Sequence, residues 1–276
     1  MINNNTKPYK HLVLDIDGTI VNNEGVISSA DISAIALARE SGISVTLCTG
    51  RSIRASQKIL NELNLSGPHI FFDGSLVYDP WKDIEIYSRL LHLELVKDII
   101  DYALQEGIPL DLFSRTDYFA LKEDWRTDIR RTFFNVSCKI ANFHSLWKTT
   151  EIIKAGIAVR TSEEIELARR FATHFGDKVN LTWTTTPALA DIQFINIIDK
   201  SVSKGRALEA LCQHLEVPVE HVCAIGDGPN DISLLLAAGL GIAMRNSPVE
   251  LIEVADNITK DVADSGVADA IRRFLI

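Results

Sequence analysis

The stretch Leu12-Val13-Leu14-Asp15-Ile16-Asp17-Gly18-Thr19-Ile20 carries an apolar run into two carboxylates, with glycine and threonine immediately after. An uninterrupted apolar segment of this length reads as a strand buried on both faces of a parallel sheet. Such sheets bind ligands just beyond the carboxyl ends of their strands. Asp15 and Asp17 therefore stand where a site is expected, and the rest of the chain must supply their partners.

The flanking pattern agrees with that placement. Ser28 to Ser41 has helical spacing, with Ser28 or Ser29 as cap and Gly42 as stop. Ser44–Cys48 is a second strand, ending in Thr49-Gly50-Arg51 ahead of a helix over residues 52–63. A third strand, His69–Phe72, runs into Asp73-Gly74. Strand alternating with helix predicts a parallel sheet wound with helices on both faces. From about Ile84 the texture changes to alternating strands, at Ile84–Tyr87, Leu110–Phe113 and Tyr118–Leu121. Helices are expected at Leu93–Gln105 and Glu163–Phe175, with further strands at Ile153–Val159, Val179–Thr184 and Asp191–Ile198. After Lys200 the first pattern resumes: helix Ser203–Leu215, strand His221–Ile225 ending in Gly226-Asp227, helix Asn230–Ala238, strand Leu240–Met244 and two closing helices. The expected fold is α/β, a Rossmann-like doubly wound core of residues 1–86 and 200–276, with an inserted α+β domain at 87–199.

Composition narrows the function classes. The 276 residues are 46% hydrophobic and 24% charged, enough for a large packed core. The formal charge of −9 argues against nucleic acid or an anionic membrane surface as the main partner. Cys48, Cys138, Cys212 and Cys223 form no CxxC pair and no zinc spacing, so reduced, buried thiols are expected. The polar start Met1-Ile2-Asn3-Asn4-Asn5 lacks a signal peptide's apolar run, and no uncharged segment could span a bilayer. A cytoplasmic protein, monomeric or a small homo-oligomer, is the expectation.

If the strand ending at Asp15 lies between those ending at Thr49 and Asp227, then Asp15, Asp17, Thr49, Asp227, Asn230 and Asp231 converge on one rim. That crowding of acids calls for a cation, and Mg²⁺ suits oxygen ligands that leave room for water and a phosphate. Asp-x-Asp-Gly also opens calcium loops, but Ile20 and Val26 occupy the positions where such a loop needs glycine and glutamate. Gly226-x-Gly228 lacks the third glycine of a dinucleotide site, since residue 231 is Asp. Taken singly, Thr49-Gly50 reads as a helix cap and Lys204 as a solvated helix residue; only their joint occurrence points to chemistry.

Asp15-Ile16-Asp17-Gly18-Thr19, Thr49-Gly50-Arg51, Lys204-Gly205 and Gly226-Asp227-Gly228-Pro229-Asn230-Asp231 stand in the order of four motifs of one superfamily. The chain resembles the haloacid dehalogenase-like hydrolases, and its insertion between the second and third motifs resembles the Cof-like branch with a type IIB α/β cap. The resemblance implies an Mg²⁺-dependent phosphatase for small phosphorylated metabolites such as sugar phosphates. Asp15 would be the nucleophile and Asp17 the general acid and base. Transporting ATPases of the superfamily have threonine at the position of Asp17, which lets their phosphoenzyme persist. Thr49 and Lys204 would stabilise the transferring phosphoryl group, with Gly18, Gly50 and Asn230 also at the phosphate and the N–H groups near Asp17 and Gly18 cradling an oxygen. Asp15, Asp227 and the main-chain carbonyl of Asp17 would hold the metal, with Asp231 behind them.

Two departures from the pattern stand out. Asp73-Gly74-Ser75 replaces Asn-Gly-Ala, either as a hairpin turn or as a carboxylate that would repel a second anionic group; Arg245 replaces a glycine, either to contact an anionic substrate or, the favoured reading, to face solvent. A sugar phosphomutase and a non-catalytic phosphometabolite-binding regulator are the alternative readings. Specificity would come from the inserted domain, where Asp111, Phe113, Ser114, Arg115, Tyr118, Trp125, Arg126, Trp183 and Thr184 are mixed polar and aromatic candidates.

Overall fold

A computed structural model describes residues 9–276, so the polar start of the chain lies outside the described residues. In chain order, the first part consists of β1 (His11–Leu14), α1 (Ser29–Glu40), β2 (Ser44–Leu47), α2 (Ile53–Glu62), β3 (His69–Phe71), β4 (Leu76–Asp79) and β5 (Ile84–Ser88). The middle consists of α3 (Leu93–Glu106), β6 (Asp111–Phe113), β7 (Tyr118–Ala120), α4 (Trp125–Thr132), β8 (Cys138–Ile140), α5 (Phe143–Leu146), β9 (Lys154–Val159), α6 (Ser162–Phe175), β10 (Val179–Thr184) and β11 (Gln193–Asp199). The last part holds α7 (Lys204–Leu215), β12 (Val222–Gly226), α8 (Ile232–Ala237), β13 (Leu240–Ala243), α9 (Val249–Val254), β14 (Asn257–Ile258) and α10 (Gly266–Ala270).

The first sheet is parallel, in the order β14-β13-β12-β1-β2. Its strand β1, an interior strand between β12 and β2, is buried at every position, as the apolar run requires. Alternation then sorts the side chains. Leu12, Leu14 and Ile16 enter one core layer with α1 and α10, whereas Val13 joins the opposite layer with Ala207, Leu208 and Leu211 of α7. Asp15 continues the Val13 register, which turns its carboxylate toward the start of α7. Placement of β1 between β2 and β12 is the arrangement needed to bring the three strand ends together.

The third strand keeps the expected parallel run at one bridge only. β3 touches the parallel sheet through a single bridge, Cys48 to Ile70, and pairs antiparallel with β4, which pairs with β5. The expected boundary at residue 86 falls inside β5. Phe72-Asp73-Gly74-Ser75 closes the β3–β4 connection, with Phe72 at φ 51° and Asp73 at φ 56°. Two consecutive non-glycine residues in the left-handed region are strained. They are braced by the preceding motif, since Phe72 N–H donates to Arg51 O at 3.1 Å and Asp73 N–H to Thr49 O at 3.0 Å.

The middle part builds a six-stranded sheet, β10-β11-β9-β6-β7-β8, antiparallel except for the β7–β8 pair. One face is covered by helices: Leu112, Phe119, Ala155, Ile157, Val159, Ile195 and Ile197 pack with residues of α3 and α6. The alternate positions, among them Phe113, Tyr118, Ala158 and Phe194, belong to the other core, shared with the first sheet. The uncovered face of this sheet therefore closes over the carboxyl ends of the parallel strands. Sequence reading placed most of these elements, but α4, α5 and β8 were not among those expected. Cys48, Cys212 and Cys223 are buried free thiols and Cys138 is half-buried.

Candidate active site

Lys204 opens α7, capped by Ser203, whose hydroxyl accepts from Arg206 N–H. Its ammonium is 1% exposed and donates to Asp15 Oδ1 and to Asp231 Oδ1, each at 2.6 Å. Asp231 follows the β12 strand end, and its other oxygen accepts from the N–H groups of Asp227 and Gly228 at 3.1 and 3.0 Å. Asp227 Oδ1 accepts from the Thr19 hydroxyl at 3.0 Å. Oxygens of Asp15, Asp227 and Asp231 lie within 4.8 Å of one another. The close approach needs Gly18: at φ +90°, a Cβ there would come within 2.2 Å of Asp227 Oδ2.

Burial would push the Lys204 ammonium down, but Asp15 and then Asp231 outweigh it, so Lys204 stays charged. Burial presses the Asp15 carboxyl well up, against Lys204, with Asp231 and Asp227 pressing the same way. Burial, then Asp231, pushes the Asp227 carboxyl up to about 8. Ionised together, three carboxylates facing one ammonium would carry a net charge of −2, which burial resists and one divalent cation would balance. The donor set is all oxygen, as a hard cation requires. Asp231, expected behind the metal, stands in the cluster itself.

Asp17 points elsewhere. Its carboxylate accepts from Arg51 Nε at 2.8 Å and Arg51 Nη2 at 2.6 Å, a bidentate pair, and from the Thr186 hydroxyl at 2.9 Å. Burial raises this carboxyl, but the Arg51 guanidinium overrides burial and holds it below the usual carboxylate range. Arg51 in turn lies over the rings of Phe134 and Phe133, at 5.2 and 5.9 Å. Thr49 is 1% exposed and lines the cavity; its hydroxyl accepts from Arg51 N–H at 3.1 Å and keeps its own proton to donate.

These groups line one cavity of about 490 Å³ between the two sheets, walled by Asp15, Asp17, Thr49, Asp227 and Asn230 on one side and by Phe113, Arg130, Lys154, Thr186 and Asn196 on the other. Gly50 also lines it, and its carbonyl accepts from Lys154 Nζ at 2.9 Å. One expected contact is corrected. Gly18 N–H already donates to Val21 O at 3.0 Å, because residues 16–21 fold into a tight turn after β1, so it is not available to a phosphate. Asn230 lines the cavity but donates to Asp73 Oδ1 at 2.8 Å. Asp73 is both a turn residue and a wall of the cavity, 2% exposed, with Lys154 Nζ 3.5 Å from its other oxygen. Arg245 is exposed, as expected, whereas its neighbour Asn246 donates to Gly18 O at 3.1 Å.

Among the middle-segment candidates, Phe113, Trp183 and Thr184 line the cavity. Asp111 and Tyr118 stand behind Arg130, whereas Arg126 is tied to Ala158 O, Asp124 and Glu164, Arg115 pairs with Glu85, and Ser114 accepts from Asp117 N–H. Arg51 in its contact with Asp17, Thr186, Lys154 and Arg130 were not singled out from sequence.

The description "haloacid dehalogenase-like hydrolase" belongs to the family model that matches residues 12–271. The chain belongs to the haloacid dehalogenase-like hydrolases. Motif order and the inserted sheet put it in their Cof-like branch, with the fold class expected from sequence. The 5-amino-6-(5-phospho-D-ribitylamino)uracil phosphatase YwtE of Bacillus subtilis is 28% identical over 288 residues, covering 96% of this chain and 98% of that protein. The chloroplastic endoribonuclease YBEY of Arabidopsis thaliana is 30% identical over 279 residues; the match takes in 96% of this chain but 46% of that longer protein. The solved subclass IIB sugar phosphatase BT4131 superposes with a TM-score of 0.81 at 23% identity, over 97% of this chain and 100% of that one, a likeness of fold. This haloacid dehalogenase-like enzyme has, among its described residues, no helix long and apolar enough to cross a membrane.

Proposed function

We propose that the chain is an Mg²⁺-dependent phosphatase that hydrolyses small phosphate monoesters, sugar phosphates or similar metabolites, through an aspartyl-phosphate. The observation that carries this reading is Lys204 held 2.6 Å from both Asp15 and Asp231, beside Asp227, at the floor of a cavity large enough for a metabolite. A binding protein has no need of a carboxylate nucleophile so arranged. The cation, held by Asp15, Asp227 and the main-chain carbonyl of Asp17 with Asp231 beside them, would supply charge neutralisation for the carboxylates and the phosphoryl oxygens.

Asp15 attacks phosphorus, the bond to the leaving oxygen breaks, and an acyl phosphate forms. Asp17 gives a proton to the leaving oxygen, then takes one from the water that attacks the intermediate and releases phosphate. In the described arrangement Arg51 keeps Asp17 ionised, which suits the second step; the first requires the Arg51 contact to loosen once substrate is bound. Thr49 donates its hydroxyl to the transferring group, and Lys204 offsets charge on it and on Asp15. The segment 87–199 acts as the cap domain and selects the substrate, and the protein works in the cytoplasm.

The test is phosphate release from a generic aryl phosphate. Activity that needs Mg²⁺, is lost on chelation and is absent from Asp15→Asn supports the reading. Asp15→Asn turning over at the wild-type rate would end it.

A further inference from the structure

Arg130 of α4 and Lys154, first residue of β9, both line the cavity that holds Asp15 from the side of the middle segment. Position explains Lys154. In β9 the alternate residues Ala155, Ile157 and Val159 pack under the helices, so Lys154 is turned to the uncovered face, at 6% exposure. Arg130 is held by aromatic rings, with Phe194 at 5.0 Å, Phe113 at 5.3 Å, Phe134 at 5.5 Å and Tyr118 at 5.9 Å from its guanidinium carbon.

Neither cation is satisfied by its acid. Arg130 Nη2 lies 3.3 Å from Asp111 Oδ2 and Lys154 Nζ 3.5 Å from Asp73 Oδ2, both longer than the ~2.7–2.9 Å of a charge-assisted hydrogen bond. The buried Nε of Arg130 and Oδ2 of Asp73 have no hydrogen-bond partner among the described residues. Asp111 is also shared with the Tyr118 hydroxyl at 3.0 Å, and burial raises its carboxyl, which weakens its claim on Arg130. Asp73, which on sequence grounds would repel a second anion, accepts from Asn230 at one oxygen, and its charge is offset by Lys154 3.5 Å from the other without a hydrogen bond between them. Lys154 Nζ donates to Gly50 O at 2.9 Å and has further N–H groups to give, and the Nε of Arg130 has no acceptor among the described residues, so the pair keeps donors for ligand oxygens.

Resting on the phosphatase reading, we propose that Arg130 and Lys154 form a second anion subsite, which selects phosphate monoesters whose alcohol portion carries another acidic group, a carboxylate or a second phosphoryl. No covalent step is involved; the two cations bind and orient the leaving group while Asp15 and Lys204 work at the phosphorus.

Matched substrates test this. The carboxylate arm compares 6-phosphogluconate with glucose 6-phosphate, and the phosphoryl arm compares fructose 1,6-bisphosphate with fructose 6-phosphate. The expected result is a kcat/KM at least about tenfold higher for the acidic member of one pair, carried mostly by KM. Arg130→Met and Lys154→Met should each reduce that ratio toward one, and Arg130→Lys and Lys154→Arg should restore part of it. The arm that shows the ratio names the group. No acidic preference in either pair, or a preference that survives both Met variants, overturns the proposal, and the wild-type ratio decides even if a variant fails to fold. If aryl phosphate and all four sugar phosphates release nothing, the phosphatase reading fails instead. Calorimetric binding of the same pairs to the wild-type protein then decides the subsite: tighter binding of an acidic member supports it, and equal or weaker binding refutes it.

Discussion

Lys204→Met removes the ammonium that lies 2.6 Å from Asp15 and from Asp231, and leaves both carboxylates in a site where Asp231 is fully buried and Asp15 is 6% exposed. Removing one partner of a buried ion pair costs about 3–5 kcal/mol, because the remaining charge has lost its counterion without regaining water. For a chain of this size each kcal/mol moves the melting temperature by roughly 2–4 °C, so metal-free Lys204→Met should melt about 6–20 °C below wild type. Mg²⁺ should recover part of the loss, since a cation among Asp15, Asp227 and Asp231 meets the same uncompensated charge. Adding Asp231→Asn should recover part of it as well, by taking away one orphaned charge while keeping an acceptor for the N–H groups of Asp227 and Gly228. The catalytic effect is separable: loss of one preorganised charge at the phosphoryl group should lower kcat by about 10²–10³. Thermal unfolding with chelator and with Mg²⁺, beside phosphate release at saturating substrate, measures both. A variant that melts with wild type in chelator and turns over within about threefold of it would falsify the assignment of Lys204 as the counter-charge of this cluster.

Arg51 acts through Asp17, so Arg51→Met should cost at least about tenfold in kcat in the wild-type background and far less in Asp17→Asn. Equal losses in the two backgrounds would show that Arg51 does something else. Lys154 is driven down to about 8 by burial, against Asp73, from an ordinary 10.5. The folded protein therefore binds fewer protons than the unfolded chain between those two values, and this group's contribution to stability grows as pH rises through that window. Over the same rise its charge is lost, so KM for an acidic substrate should increase above pH 8 in wild type and stay flat in Lys154→Met; parallel profiles would remove Lys154 from the subsite. Gly205 lies where a Cβ would meet Ser233 O at 2.3 Å, so Gly205→Ala should force α7 from α8 and cost about 1–3 kcal/mol, read as a fall in melting temperature. An unchanged melting temperature would mean that the two helices can separate freely there.

The parts of the site that were legible in the sequence are those fixed by one strand end. Asp15, Thr49 and Asp227 each follow an apolar run, and the parallel order of β12, β1 and β2 brings the runs side by side. Asp231 was legible as a rim residue just beyond the same strand end as Asp227, whereas Lys204 was legible only through motif order, because a lysine opening a helix is ordinarily solvated. The antiparallel β3–β4 pairing was half visible in Asp73-Gly74, but nothing local said that the same turn would bend a carboxylate into the cavity. Lys154 was hidden for a different reason. A single lysine ahead of Ala155-Gly156-Ile157-Ala158-Val159 looks like the wet end of a strand, and it is buried because the uncovered face of its sheet lies over another sheet's strand ends. Arg130 sits on α4, where the charged run from Trp125 to Thr132 shows little apolar periodicity; its setting among Phe113, Tyr118, Phe134 and Phe194 comes from three different elements and one loop. Thr186 reaches Asp17 across 169 positions of chain, a contact that only the closure of the two sheets creates.

The central claim is that Asp15 carries the phosphoryl group. Asp17→Asn, impaired in releasing the intermediate, should be incubated with Mg²⁺ and a phosphate monoester, quenched in acid and digested for mass spectrometry. The account predicts one phosphoryl group on the peptide containing Asp15, and none when Asp15→Asn is added. A phosphoryl group on another residue, or full phosphatase turnover by Asp15→Asn alone, would contradict it.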